Sequence, residues 1–172
     1  MNDEVGQLAL RMNNNVNLGR PILFGMDHFD AYGDLTFHTP RFTLEMNRYF
    51  AQIDQEYPNS KFILNTRDVD NWIKSRAQHI GRNGNKPMLA HFKSILGTDK
   101  DQDVFDAWRN SLDAHVKEVR SYFDGRDNFL EFNIEKDDPF KIKDFLEPDF
   151  TIDLAHWAKK NQTAGKTRIN RL

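Results

Sequence analysis

Two short, densely apolar segments constrain the fold of this chain more than any other feature of its sequence. They are Lys61–Thr66 and Phe129–Ile134. Short runs rich in large apolar residues are typical of buried parallel strands. Between them, residues 69–80 and 104–123 repeat apolar side chains at helical spacing. Strands that alternate with helices predict an α/β domain with a parallel sheet and flanking helices.

The same patterns predict the remaining elements. Asp68 stands directly before the helical pattern that starts at Val69, and its carboxylate is suited to cap that helix. The other predicted elements are a helix over residues 5–19, a buried strand at 21–26, a loop at 27–40, a helix at 42–53, a variable connection at 81–101 and a short helix at 140–146.

Length and charge limit the class of protein. A chain of 172 residues fits one domain, which we predict at residues 1–158, followed by a basic tail at 159–172. With 24 basic and 26 acidic residues, the net charge of -2 argues against a partner that is a nucleic acid polymer. The absence of cysteine excludes disulfides, thiolate metal sites and cysteine nucleophiles.

The sequence favours a cytoplasmic protein without a membrane segment. No stretch approaches the eighteen or so apolar residues of a transmembrane helix. The first residues lack the basic and apolar regions of a signal peptide. The six histidines show no metal-ligand spacing, and the acidic pairs lack the glycine and closing glutamate of a calcium loop. No metal site is therefore predicted.

The junction after the first strand carries the most informative chemistry. Arg67 follows the strand, and ligands of parallel sheets bind beyond the carboxyl ends of strands. Ser75 lies about two helical turns further on. A guanidinium and a hydroxyl together suit a phosphate group. The alternative is that Arg67 pairs with a local carboxylate while Ser75 faces solvent, and spacing alone favours this alternative.

Residues 62–75 resemble the sulfotransferase superfamily. In that superfamily a strand ends in Arg, then Asp or Asn and usually Pro, with Ser eight positions after the Arg. Here Arg67, Asp68 and Ser75 reproduce the pattern, with Val69 where Pro is common. The resemblance covers roughly residues 20–150 and continues through the segments 29–35, 115–119, 129–134 and 140–146.

This resemblance implies a P-loop-type α/β fold that binds 3′-phosphoadenosine 5′-phosphosulfate (PAPS). Such proteins transfer the sulfuryl group to a hydroxyl or amine of a small-molecule or glycan acceptor and leave 3′-phosphoadenosine 5′-phosphate (PAP). Arg67 and Ser75 match the positions that hold the 3′-phosphate. Lys166 and Arg168 are weaker matches for the same role, because a basic tail that is simply solvated is the more ordinary interpretation.

The resemblance also places a general base. Asp34 aligns with the catalytic position and would take the proton from the acceptor nucleophile. A loop carboxylate that caps the following turn is an equally good interpretation of Asp34. His28 and His38 flank it and are possible substitutes.

One departure from the family is large. The Gly/Ser/Thr-rich loop that cradles the 5′-phosphosulfate in sulfotransferases is not found in this sequence. We therefore expect an N-terminally incomplete version of the fold, with three possible explanations: the gene product is shortened, another chain fills the gap, or the remaining elements re-pair. Self-association follows as an expectation. The alternative to a transferase is a non-catalytic nucleotide-binding or assembly protein; a P-loop kinase relative fits less well.

Overall fold

The computed structural model describes residues 5–39, 42–79, 87–147 and 149–157. These residues form helices and two small sheets. In chain order the elements are α1 (Val5–Asn17), β1 (Thr36–His38), β2 (Thr43–Glu45), α2 (Phe50–Glu56), β3 (Phe62–Thr66), α3 (Val69–Gln78), α4 (Met88–Leu96), α5 (Asp101–Tyr122), β4 (Phe129–Asn133) and α6 (Phe140–Leu146), with short 3-10 turns at Met46–Tyr49 and Leu154–His156.

The two strands predicted most clearly, β3 and β4, pair in parallel. Their register runs from Phe62 opposite Phe129 to Thr66 opposite Asn133. The pairing continues beyond the strands, where the backbone N–H of Ile134 donates to the carbonyl of Thr66 at 2.9 Å. The α/β class is confirmed, with a parallel sheet of two strands in the described residues.

The helices α1, α3, α5 and α6 lie where the apolar spacing predicts them. The predicted cap of α3 is also present, because Asp68 Oδ1 accepts a hydrogen bond from the backbone N–H of Asn71 at 2.9 Å. Along α5, Val104, Trp108 and Val119 are buried, as the amphipathic pattern requires.

The strand predicted at residues 21–26 is wrong, because this segment forms consecutive turns. The backbone N–H of Phe24 donates to the carbonyl of Pro21, and that of Met26 to the carbonyl of Leu23. The side-chain amide of Asn15 in α1 donates to two carbonyls of the same segment, at 3.0–3.1 Å. These local bonds occupy groups that a strand would offer to a neighbouring strand. The apolar side chains are buried against α1 instead.

The predicted loop at 27–40 and helix at 42–53 are wrong in part. An antiparallel hairpin of β1 and β2 occupies their junction, with Phe37 opposite Leu44. Regular α-helix starts only at Phe50. Strands of three residues are too short to show the alternation of apolar and polar residues from which a strand is predicted.

The connection predicted at 81–101 contains a helix, α4, which is a further correction. Pro87 precedes it, and Gly97 ends it in the left-handed conformation at φ 65°. Proline before and glycine after a helix are ordinary boundary signals.

Within the part of the chain that the structure describes, three apolar clusters make up the core. One packs α1 against the turns at 21–26, and two others lie along α5. Trp108 of α5 belongs to the cluster with α3 and α4. Phe123, just after α5, stacks on Phe129 of β4 with ring centroids 4.9 Å apart. The long helix therefore connects the parallel sheet to the helices that follow β3.

Candidate functional site

The carboxyl ends of β3 and β4 meet in one charged cross-link. Arg67 follows β3 directly, and Glu135 comes two residues after the end of β4. The Arg67 guanidinium donates to Glu135 Oε1 from Nη2 at 2.8 Å and from Nε at 3.2 Å. The ion pair is partly exposed, with about 30% of each side chain open to solvent. Arg67 thus pairs with a carboxylate, although one that is 68 positions away in sequence.

Other donors of the β3–α3 junction reach the same carboxylate. The backbone N–H of Asp68 donates to Glu135 Oε2 at 3.0 Å, and the amide of Asn71 lies 3.3 Å from Oε1. The hydrogen bond from Asp68, together with the Arg67 guanidinium, holds the pKa of Glu135 below its usual range. A guanidinium, a backbone N–H at the start of a helix and an amide form a donor set suited to any oxyanion.

Ser75 lies half-buried in α3, eight residues after Arg67, as its spacing requires. The donors that reach the Glu135 carboxylate are Arg67, Asp68 and Asn71, so Ser75 is not one of them. Its role toward a 3′-phosphate stays a prediction. Lys166 and Arg168, the other predicted nucleotide ligands, lie outside the described residues, as does the whole tail at 159–172.

Asp34 lies exposed immediately before the hairpin, in the left-handed conformation at φ 53°. Its Oδ1 accepts a long hydrogen bond of 3.4 Å from the Thr36 hydroxyl. Its assignment as general base stays a prediction. Of the two substitutes, His28 lies exposed in a turn, whereas His38 is half-buried in β1. The Nδ1 atom of His38 lies 3.0 Å from the Thr43 hydroxyl.

Burial lowers the pKa of His38, and the nearby cation of Arg76 lowers it further. The imidazole is therefore neutral at neutral pH, which is the form that accepts a proton. The rings of His38 and His91 lie 6.1 Å apart, so β1 and α4 bring two histidines together beside Arg76. The sequence pattern gave no signal of this grouping, because its members come from different elements.

A second feature that sequence reasoning missed is the environment of Arg76 in α3. The guanidinium carbon lies 5.1–5.2 Å from the ring centroids of Trp72, Phe92 and Trp108, which belong to α3, α4 and α5. We call the three aromatic side chains that surround this guanidinium the aromatic cage. The helical spacing of Trp72 and Trp108 indicated core packing, which both do provide, but not a cation among them.

Within the described ranges, no cluster of three or more His, Asp or Glu side chains has the arrangement to hold a metal ion. Over the same ranges, every helix is too short or too polar to span a bilayer.

A known protein family matches the part of the chain that contains this junction. A sulfotransferase domain matches residues 39–150, which is more than half of the chain. The chain belongs to the sulfotransferase domain family. Neither curated proteins nor solved structures gave a match. The sulfotransferase domain thus includes β3, α3 and β4, together with Arg67, Ser75 and Glu135.

Proposed function

We propose that this sulfotransferase-like protein binds PAPS and its product PAP through their 3′-phosphate, at the junction of β3 and α3. In the transfer reaction, the sulfuryl group passes to a hydroxyl or amine of a small-molecule or glycan acceptor. The observation that carries the proposal is the Glu135 carboxylate. It is an oxyanion that already accepts hydrogen bonds from Arg67, Asp68 and Asn71.

Glu135 also competes with a bound phosphate for Arg67. A phosphate that binds Arg67 must either share the guanidinium with this carboxylate or displace it, because the fork is already used by Oε1. Two anions close together repel each other, and the repulsion is weaker if the carboxylate moves away. Because both residues are partly exposed, Glu135 can turn toward solvent at little cost. We expect Glu135 to weaken nucleotide binding without preventing it.

The co-substrate supplies the activated sulfuryl group, and the chain supplies a base. Asp34 is the base implied by the family, and its exposed carboxylate can take a proton from an acceptor hydroxyl. His38 is the alternative, because burial lowers its pKa and keeps the ring neutral. Transfer rates of Asp34→Asn and His38→Asn separate the two, since only loss of the true base lowers the rate at saturating substrate by about 10²-fold or more.

The decisive experiment is calorimetric titration of the full chain with PAP. The Arg67→Ala variant should bind about 10- to 100-fold more weakly, as expected when charge-assisted hydrogen bonds are lost. Glu135→Gln removes the competing charge and should bind more tightly than the unmodified chain. Ser75→Ala should lose less than Arg67→Ala, because a hydroxyl contributes one neutral hydrogen bond.

Adenosine 5′-phosphate provides the matched control, because it lacks the 3′-phosphate. Arg67→Ala should leave its affinity unchanged. Equal PAP affinity of the unmodified chain and Arg67→Ala would refute the proposal. Thermal unfolding of each variant checks that the fold is retained.

Binding without transfer is a second candidate function. It is favoured by the arginine already engaged by a carboxylate of the same chain. Release of PAP from labelled PAPS in the presence of simple phenols, alcohols and amines distinguishes the two. Binding of PAP without any transfer would assign a binding or assembly role.

We also propose that the chain self-associates. In the described residues, β3 and β4 each pair along one edge only, and an unpaired edge readily accepts another strand. Light scattering at micromolar concentration should give a mass above the 20.2 kDa of one chain. A monomer under these conditions would contradict this.

A further inference from the structure

The aromatic cage holds a positive charge without a partner in the described part of the chain. No carboxylate there forms an ion pair with Arg76. Glu45 is near enough to act on its charge, but the Glu45 carboxylate is bound by Arg48 at 2.7 Å. Arg76 is half-buried, and this burial lowers its pKa, as expected for a cation that is partly shielded from water without a counter-ion.

Polar nitrogen atoms on the three helices of the cage are unsatisfied. Arg76 Nε, His91 Nε2 and Trp108 Nε1 are shielded from solvent, and no described residue forms a hydrogen bond with any of them. They come from α3, α4 and α5. The rings connect them, because Phe92 lies 5.4 Å from His91 and 5.3 Å from Trp108.

These nitrogen atoms act mainly as hydrogen-bond donors. The guanidinium and the indole can only donate hydrogen bonds, and the imidazole Nε2 donates in one of its two neutral tautomers. A buried donor without an acceptor costs free energy, and a buried cation without an anion costs more. Three aromatic faces compensate part of the charge through cation–π attraction, but they accept no hydrogen bond from Nε. A negatively charged oxygen ligand would satisfy the charge and the donors together.

We propose that the aromatic cage is a binding site for a small oxyanion group, a carboxylate, sulfate or phosphate, which pairs with Arg76 and accepts hydrogen bonds from His91 and Trp108. This site is separate from the 3′-phosphate site proposed at Arg67. The first lies among α3, α4 and α5, and the second at the ends of β3 and β4.

Thermal unfolding of the full chain tests the site. Sodium sulfate, phosphate and acetate are each compared with sodium chloride at equal ionic strength. An anion at about a hundred times its Kd should raise the Tm by roughly 5 to 10 °C. Sulfate and phosphate also stabilise proteins in general. The matched variant Arg76→Met measures that general part, because methionine fills the cage without charge.

A rise in Tm that is larger in the unmodified chain than in Arg76→Met supports the site. Equal rises in both proteins overturn it, and show that the three rings alone satisfy the arginine. The anion that gives the largest difference identifies the class of ligand. Arg67→Ala should show the same difference as the unmodified chain, which keeps this result independent of the nucleotide proposal.

Tryptophan fluorescence gives a second readout that does not depend on how stable the variants are. Trp157→Phe removes the exposed tryptophan and leaves Trp72 and Trp108, both within the cage. Titration of Trp157→Phe with the best anion should change the emission along a saturable curve. The same titration of the double variant, which carries both Trp157→Phe and Arg76→Met, should leave the emission unchanged. A curve that does not saturate, or two identical curves, would overturn the proposal.

Discussion

Asp54, which is buried, and Arg76, which is half-buried, are two charged side chains with opposite surroundings. Asp54 of α2 is 6% exposed and accepts hydrogen bonds from three side chains. The donors are Tyr122 at 2.8 Å, Arg126 at 2.8 Å and Asn128 at 3.0 Å. Arg76 lies among three aromatic rings, and its Nε has no acceptor in the described residues. The described residues satisfy the first charge but not the second.

The pKa shifts show the same contrast. Burial by itself raises the pKa of Asp54, but hydrogen bonds from Arg126, Tyr122 and Asn128 outweigh burial, so the pKa falls below its ordinary value. The pKa of Arg76 is lowered mainly by burial, against a weak opposing effect of Glu45. A buried charge with a full set of partners supports the fold. A buried charge without them is a place where a ligand can gain affinity.

The largest effect should come from Asp54→Ala. This change leaves Arg126 without its acceptor and leaves Asn128 only the carbonyl of Ser60, so we expect a loss of about 2–3 kcal/mol of unfolding free energy. Urea denaturation measures it. Tyr122→Phe, which removes only one hydroxyl, should lose about 1 kcal/mol. The contrast fails if Asp54→Ala is no more harmful than Tyr122→Phe.

The matching change at the other charge should have a smaller effect of opposite sign. Arg76→Met removes a cation for which the described residues provide no counter-ion, and the methionine side chain can still pack on Trp72, Phe92 and Trp108. We expect the unfolding free energy to stay unchanged or to rise by about 1 kcal/mol in an anion-free buffer. The same urea series measures it. A loss comparable to that of Asp54→Ala would mean that Arg76 is satisfied within the chain.

A pH series should show a further, more gradual effect. Burial lowers the pKa of His38 and of His115, and the cations Arg76 and Arg48, respectively, lower them further. The unfolded chain therefore takes up protons first, and stability present above about pH 6.5 should be lost as the pH falls through the lower folded values. Urea midpoints from pH 7.5 to 5 measure this loss. Replacing both histidines with Asn should flatten the slope, and an unchanged slope would contradict the assignment.

The smallest effect should come from the surface pair of Asp70 and Arg109. Their atoms approach to 2.7 Å, as close as those of Asp54 and Arg126, but the Asp70 side chain is 67% exposed whereas that of Asp54 is 6% exposed. Water solvates each charge when the partner is removed. Asp70→Asn should leave the urea midpoint unchanged within error. A clear loss would show that distance rather than burial decides the value of an ion pair here.

The sequence predicts the elements whose signal is local and long enough. β3 and β4 are dense apolar runs, and α5 repeats its apolar positions over 22 residues. The apolar run at 21–26 was wrongly predicted as a strand because composition alone cannot distinguish a buried strand from buried turns. Gly25 at φ 74° and the hydrogen bonds from Asn15 decide the outcome, and the latter come from another element. The helix α4 could have been found from Pro87 and Gly97.

Only the part of the candidate site that β3 and α3 contribute could be predicted from the sequence. The family pattern gives Arg67 and Ser75, but the partner of Arg67 comes from beyond the last strand, 68 positions later. Nothing near Glu135 indicates that it reaches α3. The aromatic cage is similar, because its tryptophans look like ordinary core residues in sequence. Its character depends on Arg76 pointing among them, which is a property of the packing of three helices.

The parallel pairing of β3 and β4 has a consequence for the order in which the chain folds. It joins residues 67 positions apart, such as Phe62 and Phe129. Closing so long a segment costs entropy before any contact is gained, whereas the helices between the strands form from local contacts. We therefore expect the strands to pair after α3, α4 and α5 have assembled. The link between Arg67 and Glu135 is then among the last contacts to form, and a nascent or partly unfolded chain would lack the site that we propose for the nucleotide.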